Sequence, residues 1–166
     1  MDNLELLKCR RSIRVFNEKP LSRAEIEKII DAARFAPTAR NVQPWQFVVV
    51  TDKDKLLKLS AMADNGRFLN QVQACIAVFC EDTKYYLEDG AAASCNILLA
   101  ATALGIGSCW IAGDKKPYCE QVAGLLKAPA GFKLVSLIAL GYPVEKNVFK
   151  PAEKKKLDKL IHWEEF

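Results

Sequence analysis

The sequence contains one histidine, His162, and its six cysteines include no Cys-x-x-Cys pair. Zinc sites usually combine closely spaced cysteines and histidines, so a zinc site is not expected. An even number of cysteines would permit disulfides in a secreted protein. The first eleven residues, however, mix charges with leucines and lack the apolar core of a signal peptide. We therefore expect reduced thiols, most of them filling the core, in a cytoplasmic protein.

Long apolar runs, repeats and low-complexity tracts are also missing. The longest apolar stretch, 97–106, is too short and too rich in alanine to cross a bilayer. No linker divides the 166 residues, which should form a single domain over 1–166 with a C-terminal arm over about 145–166. The net charge of +4 is weak evidence for nucleic-acid binding and fits a small anionic ligand such as a phosphate. No Gly-x-Gly-x-x-Gly segment opens a helix after a strand, so a Rossmann site for a nicotinamide nucleotide is not expected.

The order of helical and extended patterns predicts an α+β fold. A capping box, Ser22-Arg23-Ala24-Glu25, opens a helix that should run to about Phe35 and stop before Pro37. Other helices are expected over 3–9, 52–62, 85–104 and 114–126, the last of them capped by Asp114. Runs of β-branched residues predict buried strands over 46–51, 74–80 and 132–140, and 108–111 should be extended. The helix over 85–104 is apolar nearly all round after Asp89, so it should be buried, and Gly105 should end it.

Three arginines and a serine occur within five residues, Arg10-Arg11-Ser12-Ile13-Arg14, directly after the first predicted helix. Guanidinium groups bind phosphate oxygens in a forked geometry, and a serine hydroxyl can donate a further hydrogen bond. A solvated run of charge is the alternative for these residues taken alone. Val15-Phe16 should bury the other side of the segment and hold the arginines in place.

A second polar segment, 37–45, joins a predicted helix to a predicted strand. Two prolines stiffen it, while Thr38, Asn41 and Gln43 supply hydrogen-bond donors and acceptors. Such a loop suits the edge of a flat polar heterocycle. An ordinary structured turn with a buried Trp45 is the alternative.

Taken together and in this order, the segments 10–14 and 37–45 resemble those of the nitroreductase family. Its members carry an Arg-x-Ser-x-Arg/Lys segment, a helix, and then a Pro-Ser/Thr-x-x-Asn-x-Gln-Pro-Trp loop leading into a strand. The glycine-rich turn over 105–113, the Leu140-Gly141-Tyr142-Pro143 segment and the Ile161-His162-Trp163 ending are also similar, so the resemblance spans essentially the whole chain. The chain is shorter than many members and lacks an inserted helical excursion around 80–110. The resemblance implies a nitroreductase-like fold, with a central few-stranded mixed sheet packed by helices and a C-terminal arm exchanged across a homodimer.

The resemblance also implies a site for flavin mononucleotide (FMN). Arg10, Ser12 and Arg14 would contact the phosphate and ribityl chain, and Arg11 would bond the ring edge through its backbone. From the other subunit, a set of loop residues would approach the same flavin: Pro37, Thr38, Ala39 and Asn41.

Three further parts of the chain match family positions near the flavin. Ala112 and Gly113 match a turn whose backbone N–H groups point at flavin N5 and O4, and Asn65 matches an asparagine that touches the ring. Lys154 aligns best with a phosphate-binding residue that is commonly arginine in the family, with Lys150, Lys155 or Lys156 as alternatives. Cys109, beside the turn, is expected to be a buried small side chain rather than a redox thiol.

By this resemblance the protein would transfer hydride from NADH or NADPH to flavin N5, and then to a small acceptor such as a nitroaromatic or a quinone. Because the cofactor carries the chemistry, no catalytic side chain is required, and His162 is expected to pack rather than to transfer protons. Three alternatives stay open. They are a family member with another flavin reaction (dehalogenation, ene reduction or flavin breakdown), a non-catalytic FMN carrier, and a basic module that binds nucleic acid through 10–14 and the lysine-rich tail.

Overall fold

The computed structural model describes residues 2–166, and of Asn3 it describes the backbone alone. The helices of this part of the chain are α1 (Asn3–Cys9), α2 (Arg23–Ala33), α3 (Lys53–Met62), α4 (Tyr86–Ala103) and α5 (Cys119–Leu126). The strands are β1 (Trp45–Val50), β2 (Ala74–Glu81), β3 (Gly107–Ala112) and β4 (Phe132–Gly141). Short 3₁₀ turns occur at Ala39–Asn41, Arg67–Gln71 and Leu157–Lys159. The predicted α+β class is confirmed.

The four strands form one sheet in the order β1-β2-β4-β3, with every neighbouring pair antiparallel. The sheet is therefore antiparallel rather than mixed as predicted. β2 and β3 do run in the same direction, but β4 lies between them and pairs with both. Within the described residues, parallel pairing is confined to a single bridge between Ser12 and Ser108.

The sheet is covered on both faces, which explains the continuous burial of its central strands. Helices α2 and α4 cover one face through Ile29, Ile97 and their neighbours. Helices α3 and α5 cover the other face through Leu59, Val122 and the residues around them. Seven of the eight residues of β2 are buried, as expected when alternate side chains enter two different cores. α4 is thus a buried helix, as its all-round apolar sequence predicts.

Local capping signals set most of the helix starts. The Ser22 side chain accepts from the Glu25 backbone N–H, and the Glu25 carboxylate accepts from the Ser22 N–H at 2.8 Å, which confirms the predicted capping box. Asp52 accepts from the Lys55 N–H at 2.9 Å and starts α3. α2 ends at Ala33, two residues before the predicted end, and Gly105 follows α4 at φ 70°, a left-handed conformation that favours glycine.

The predicted cap at Asp114 is wrong. Helix α5 begins only at Cys119, and the Asp114 carboxylate instead accepts a 2.5 Å hydrogen bond from the Tyr86 hydroxyl. Pro117 explains the late start, because the residue before a proline avoids the helical region. Residues 114–115 and 117–118 form turns ahead of the helix.

After Pro143 the chain leaves the body of the protein as a tail. Every residue over 153–166 is exposed, including Leu157, Leu160 and Trp163, the last of which keeps 83% of its surface accessible. His162 is exposed as well, and its ring stacks on Phe166 with the centroids 4.3 Å apart. Among residues 2–166, no helix has the length and apolar character needed to span a bilayer.

Candidate functional site

A cleft of about 720 Å³ opens between the segment after α1 and the start of the tail. Its polar lining consists of Lys8, Arg10, Arg11, Ser12, Arg14 and Lys154, and Leu7, Pro151 and Ala152 complete it. The structure thus brings the arginine-rich segment together with a lysine that lies far away in sequence. Of the C-terminal lysines considered from the sequence, Lys154 is the one that lines the cleft.

The arginine-rich segment is held by the edge of the sheet. Arg10 leaves the helical conformation at the end of α1, and the backbone N–H of Ile13 donates to the carbonyl of Ser108 in β3 at 2.9 Å. Phe16 is buried and forms a bridge with Pro143. Ile13 also packs on the core, whereas Val15 is 62% exposed. The anchors are therefore Ile13 and Phe16, and the predicted burial of Val15 is wrong.

Four of the five cationic side chains of the cleft have no carboxylate partner among the described residues. Arg10, Arg11, Arg14 and Lys154 take part in none of the salt bridges within 4.0 Å in this part of the chain. Lys8 alone is paired, with Glu5. Forked guanidinium donors beside a serine hydroxyl suit a phosphate group. The volume lies within the range usual for pockets that take small ligands and cofactors.

Cys109 lies close to this charge but is only 2% exposed. Burial raises the pKa of its thiol, while the charges of Arg14 and Arg10 and the hydroxyl of Ser12 act in the opposite direction and do not outweigh it. A thiol with a raised pKa stays protonated at neutral pH and is a poor nucleophile. This agrees with the expected role as a buried small side chain.

The loop over 37–43 lies apart from the arginine cleft within one chain. It lines a separate cavity of about 160 Å³, with Ala39, Arg40 and Asp89 among the lining residues. The Thr38 hydroxyl donates to Asp89 Oδ2 at 2.8 Å, and the Ala39 N–H donates to Asp89 Oδ1 at 3.0 Å. Trp45, just beyond the loop, is 6% exposed, as expected for the structured turn.

Sequence reasoning missed Asp89 as a residue of this region. Its one signal in the sequence was an acidic residue near the start of an otherwise apolar helix. The two loop groups that it binds lie 50 and 51 residues earlier in the chain.

The turn that follows β3 is tightly held. The Gly113 N–H donates to the Val135 carbonyl at 3.0 Å. The Tyr118 hydroxyl donates to the Ala112 carbonyl, and the Cys119 thiol to the Gly113 carbonyl. Beside this turn, the hydrogen bond that the Tyr86 hydroxyl donates to Asp114 raises the pKa of Tyr86 to about 12.

The cleft therefore unites five of the predicted site residues and leaves the others elsewhere. Asn65 is exposed in the turn after α3. The residues that do not line the cleft are Pro37, Thr38, Ala39, Asn41, Asn65, Ala112 and Gly113.

Comparison with known proteins identifies the family. The model of the "Nitroreductase family" matches residues 7–82, and that of the "Putative TM nitroreductase" matches residues 53–166. An Archaeoglobus fulgidus protein, "Putative NADH dehydrogenase/NAD(P)H nitroreductase", is 37% identical to the chain over 171 residues, covering 98% of both sequences. The chain belongs to the nitroreductase family.

Solved structures confirm the nitroreductase fold over the whole length. An FMN-dependent nitroreductase from Clostridium difficile superposes with a TM-score of 0.90 at 31% identity, covering 98% of this chain and 99% of that one. A Parabacteroides distasonis protein, also described as a "Putative NADH dehydrogenase/NAD(P)H nitroreductase", gives a TM-score of 0.92 at 30% identity, with 98% of each chain covered. The similarity includes the tail as well as the sheet and helices.

Proposed function

We propose that this nitroreductase is an FMN-dependent oxidoreductase that takes hydride from NADH or NADPH and reduces a small acceptor such as a nitroaromatic or a quinone. The observation that carries the proposal is the cleft in which Arg10, Arg11, Arg14 and Lys154 have no carboxylate partner among the described residues. A phosphate monoester such as that of FMN would supply the missing negative charge. The relative from Clostridium difficile, described as FMN-dependent, supports the same cofactor.

The residues of the cleft bind and orient, and do not react. Arg10 and Arg14 hold phosphate oxygens, Lys154 adds a point charge, and the Ser12 hydroxyl donates a hydrogen bond. When bound, FMN supplies the hydride transfer between nicotinamide and acceptor. Because Ser12 and Ile13 are held against β3 and Phe16 is buried, the backbone that carries the cationic side chains is anchored to the sheet.

A homodimer completes the site in this proposal. Within one chain the 37–43 loop lies away from the arginine cleft, and the apolar side chains of the tail are exposed. A second copy related by a two-fold axis would place each loop at the other cleft and cover each tail.

Sedimentation should therefore give a mass of twice the 18.5 kDa of one chain. Replacing Leu160 and Trp163 together by aspartate should shift the monomer–dimer equilibrium toward monomer and weaken FMN binding. The reason is that the dimer would no longer bury these two apolar side chains, which are exposed in the single chain. Leu57→Asp removes an exposed leucine from α3 instead and serves as the matched control. A wild-type protein that is monomeric with a full complement of FMN would contradict the shared site.

The visible absorption spectrum of the purified protein tests the function directly. We expect flavin bands that bleach on anaerobic addition of NADH or NADPH and return when a nitroaromatic or a quinone is added. Bands that persist with both nucleotides would favour a carrier without turnover. A colourless protein that also fails to bind added FMN would overturn the proposal.

A further inference from the structure

Asp89 is a buried carboxylate without a cationic partner in the described part of the chain. It is 5% exposed and forms no salt bridge within 4.0 Å. An unpaired buried charge is costly unless hydrogen bonds and local dipoles compensate it. Here the first turn of α4, whose N-terminal end carries partial positive charge, offers part of that compensation. The two hydrogen bonds from the 37–43 loop provide the rest.

The loop that Asp89 binds has an unfavourable backbone. Arg40, Asn41 and Gln43 have φ values of 55°, 57° and 53°, in the left-handed region that residues with a side chain rarely adopt. Such conformations persist when surrounding contacts fix them, and they are concentrated at functional sites. The Thr38 hydroxyl links the two ends of the loop, because it donates to Asp89 and accepts from the Gln43 N–H at 3.2 Å.

We propose that Asp89 is a positioning residue that holds the 37–43 loop in its flavin-binding conformation. The inference rests on the proposed function, in which this loop approaches the FMN of a second copy. Three main-chain groups are occupied inside the loop: the carbonyls of Thr38 and Ala39 accept from Asn41 and Val42, and the Ala39 N–H donates to Asp89. The side chains of Arg40 and Asn41, both exposed, are left at its tip to meet a ligand. A loop fixed beforehand loses less conformational entropy when that ligand binds.

A carboxylate is needed because both of its oxygens accept. Asparagine at this position would offer one acceptor oxygen and one amide group that can only donate. One of the two loop bonds would then be lost or reversed. Asp89→Asn and Thr38→Ala should therefore release the loop, and Thr38→Ser, which restores the hydroxyl, should return it toward the wild-type state.

Trypsin cleavage after Arg40 in the FMN-free protein reports on the loop without any activity measurement. We expect Asp89→Asn and Thr38→Ala to be cut there about tenfold faster than wild type, and their dissociation constants for FMN to rise about tenfold. Ser94→Ala is the matched control. Ser94 is also buried on α4, and its replacement removes hydrogen bonds to Gly90 and Ser136 that do not involve the loop. Its thermal midpoint should fall while cleavage after Arg40 and FMN affinity stay at the wild-type values.

Each outcome bears on the inference. Unchanged cleavage in Asp89→Asn and Thr38→Ala, or faster cleavage with unchanged FMN affinity, would overturn it, as would an equal effect of Ser94→Ala. If Asp89→Asn does not fold, the comparison of Thr38→Ala with Thr38→Ser decides. A wild-type protein that binds no FMN would instead refute the proposed function, and the cleavage rates would still test the hold of Asp89 on the loop.

Discussion

The Arg14→Gln and Ser12→Ala double variant should purify without colour and bind FMN at least about a hundredfold more weakly than wild type. Each replacement removes a donor to the phosphate or ribityl chain, and a hydrogen bond to a charged group contributes about 1.5–3 kcal/mol. Two such losses amount to about 3–6 kcal/mol. At 1.4 kcal/mol for each factor of ten, this weakens binding by about 10²-fold to 10⁴-fold. Quenching of FMN fluorescence during titration measures the affinity.

The fold itself should tolerate the double change. Both side chains are exposed, and Arg14 forms no salt bridge within the described residues. The thermal midpoint of the FMN-free protein should thus stay close to the wild-type value, since surface substitutions usually change the free energy of unfolding by less than about 0.5 kcal/mol. Arg34→Gln is the control, because it removes an exposed arginine that is paired with Asp31 on α2, away from the cleft. Stoichiometric FMN in the double variant would refute the phosphate assignment.

Gly113→Ala should destabilise the protein by about 1–3 kcal/mol, because a methyl group at this position overpacks the turn after β3. A Cβ atom there would lie 2.8 Å from the backbone carbon of Val135 and 2.9 Å from the carbonyl oxygen of Leu134. Backbone atoms inside a sheet cannot move aside as the end of a flexible side chain can. The bonds from Tyr118 and Cys119 to the same turn also oppose any outward shift.

Gly124→Ala should have the opposite effect and stabilise the protein. Gly124 lies within α5, and a Cβ atom there would meet no atom within 4 Å. Alanine in a helix interior is more stable than glycine by up to about 1 kcal/mol. For a chain of this size, 1 kcal/mol changes the thermal midpoint by roughly 2–4 °C. Calorimetry should hence find a lower midpoint for Gly113→Ala and a higher one for Gly124→Ala, and an unchanged midpoint in the first would contradict the close approach.

Features of the fold that depend on nearby residues were predictable from the sequence. The caps at Ser22 and Asp52, the stop at Gly105 and the all-round apolar character of α4 each depend on residues within a few positions of one another. The arginine-rich segment was recognisable as a phosphate-binding candidate for the same reason. Lys154 came from the family resemblance, and the structure places it in the same cleft.

The predictions that failed depend on distant partners. Asp114 has the side chain of a good cap, but Tyr86 occupies its carboxylate and Pro117 delays the helix. The mixed sheet was implied by the family resemblance, whereas β4 lies between β2 and β3 and makes every neighbouring pair antiparallel. Asp89 went unnoticed because its role depends on a loop 50 residues away.

The central place of β4 has a consequence for how the protein is made. β4 is the last strand along the chain, yet it pairs with both β2 and β3, as in the partners Ala74 and Leu140. Until β4 has left the ribosome, the strongly apolar β2 can pair only with β1, and β3 has no neighbouring strand in the sheet. Pairing across such sequence distances slows folding and prolongs the exposure of unpaired edges. We expect newly made chains to need protection from aggregation until β4 has been synthesised.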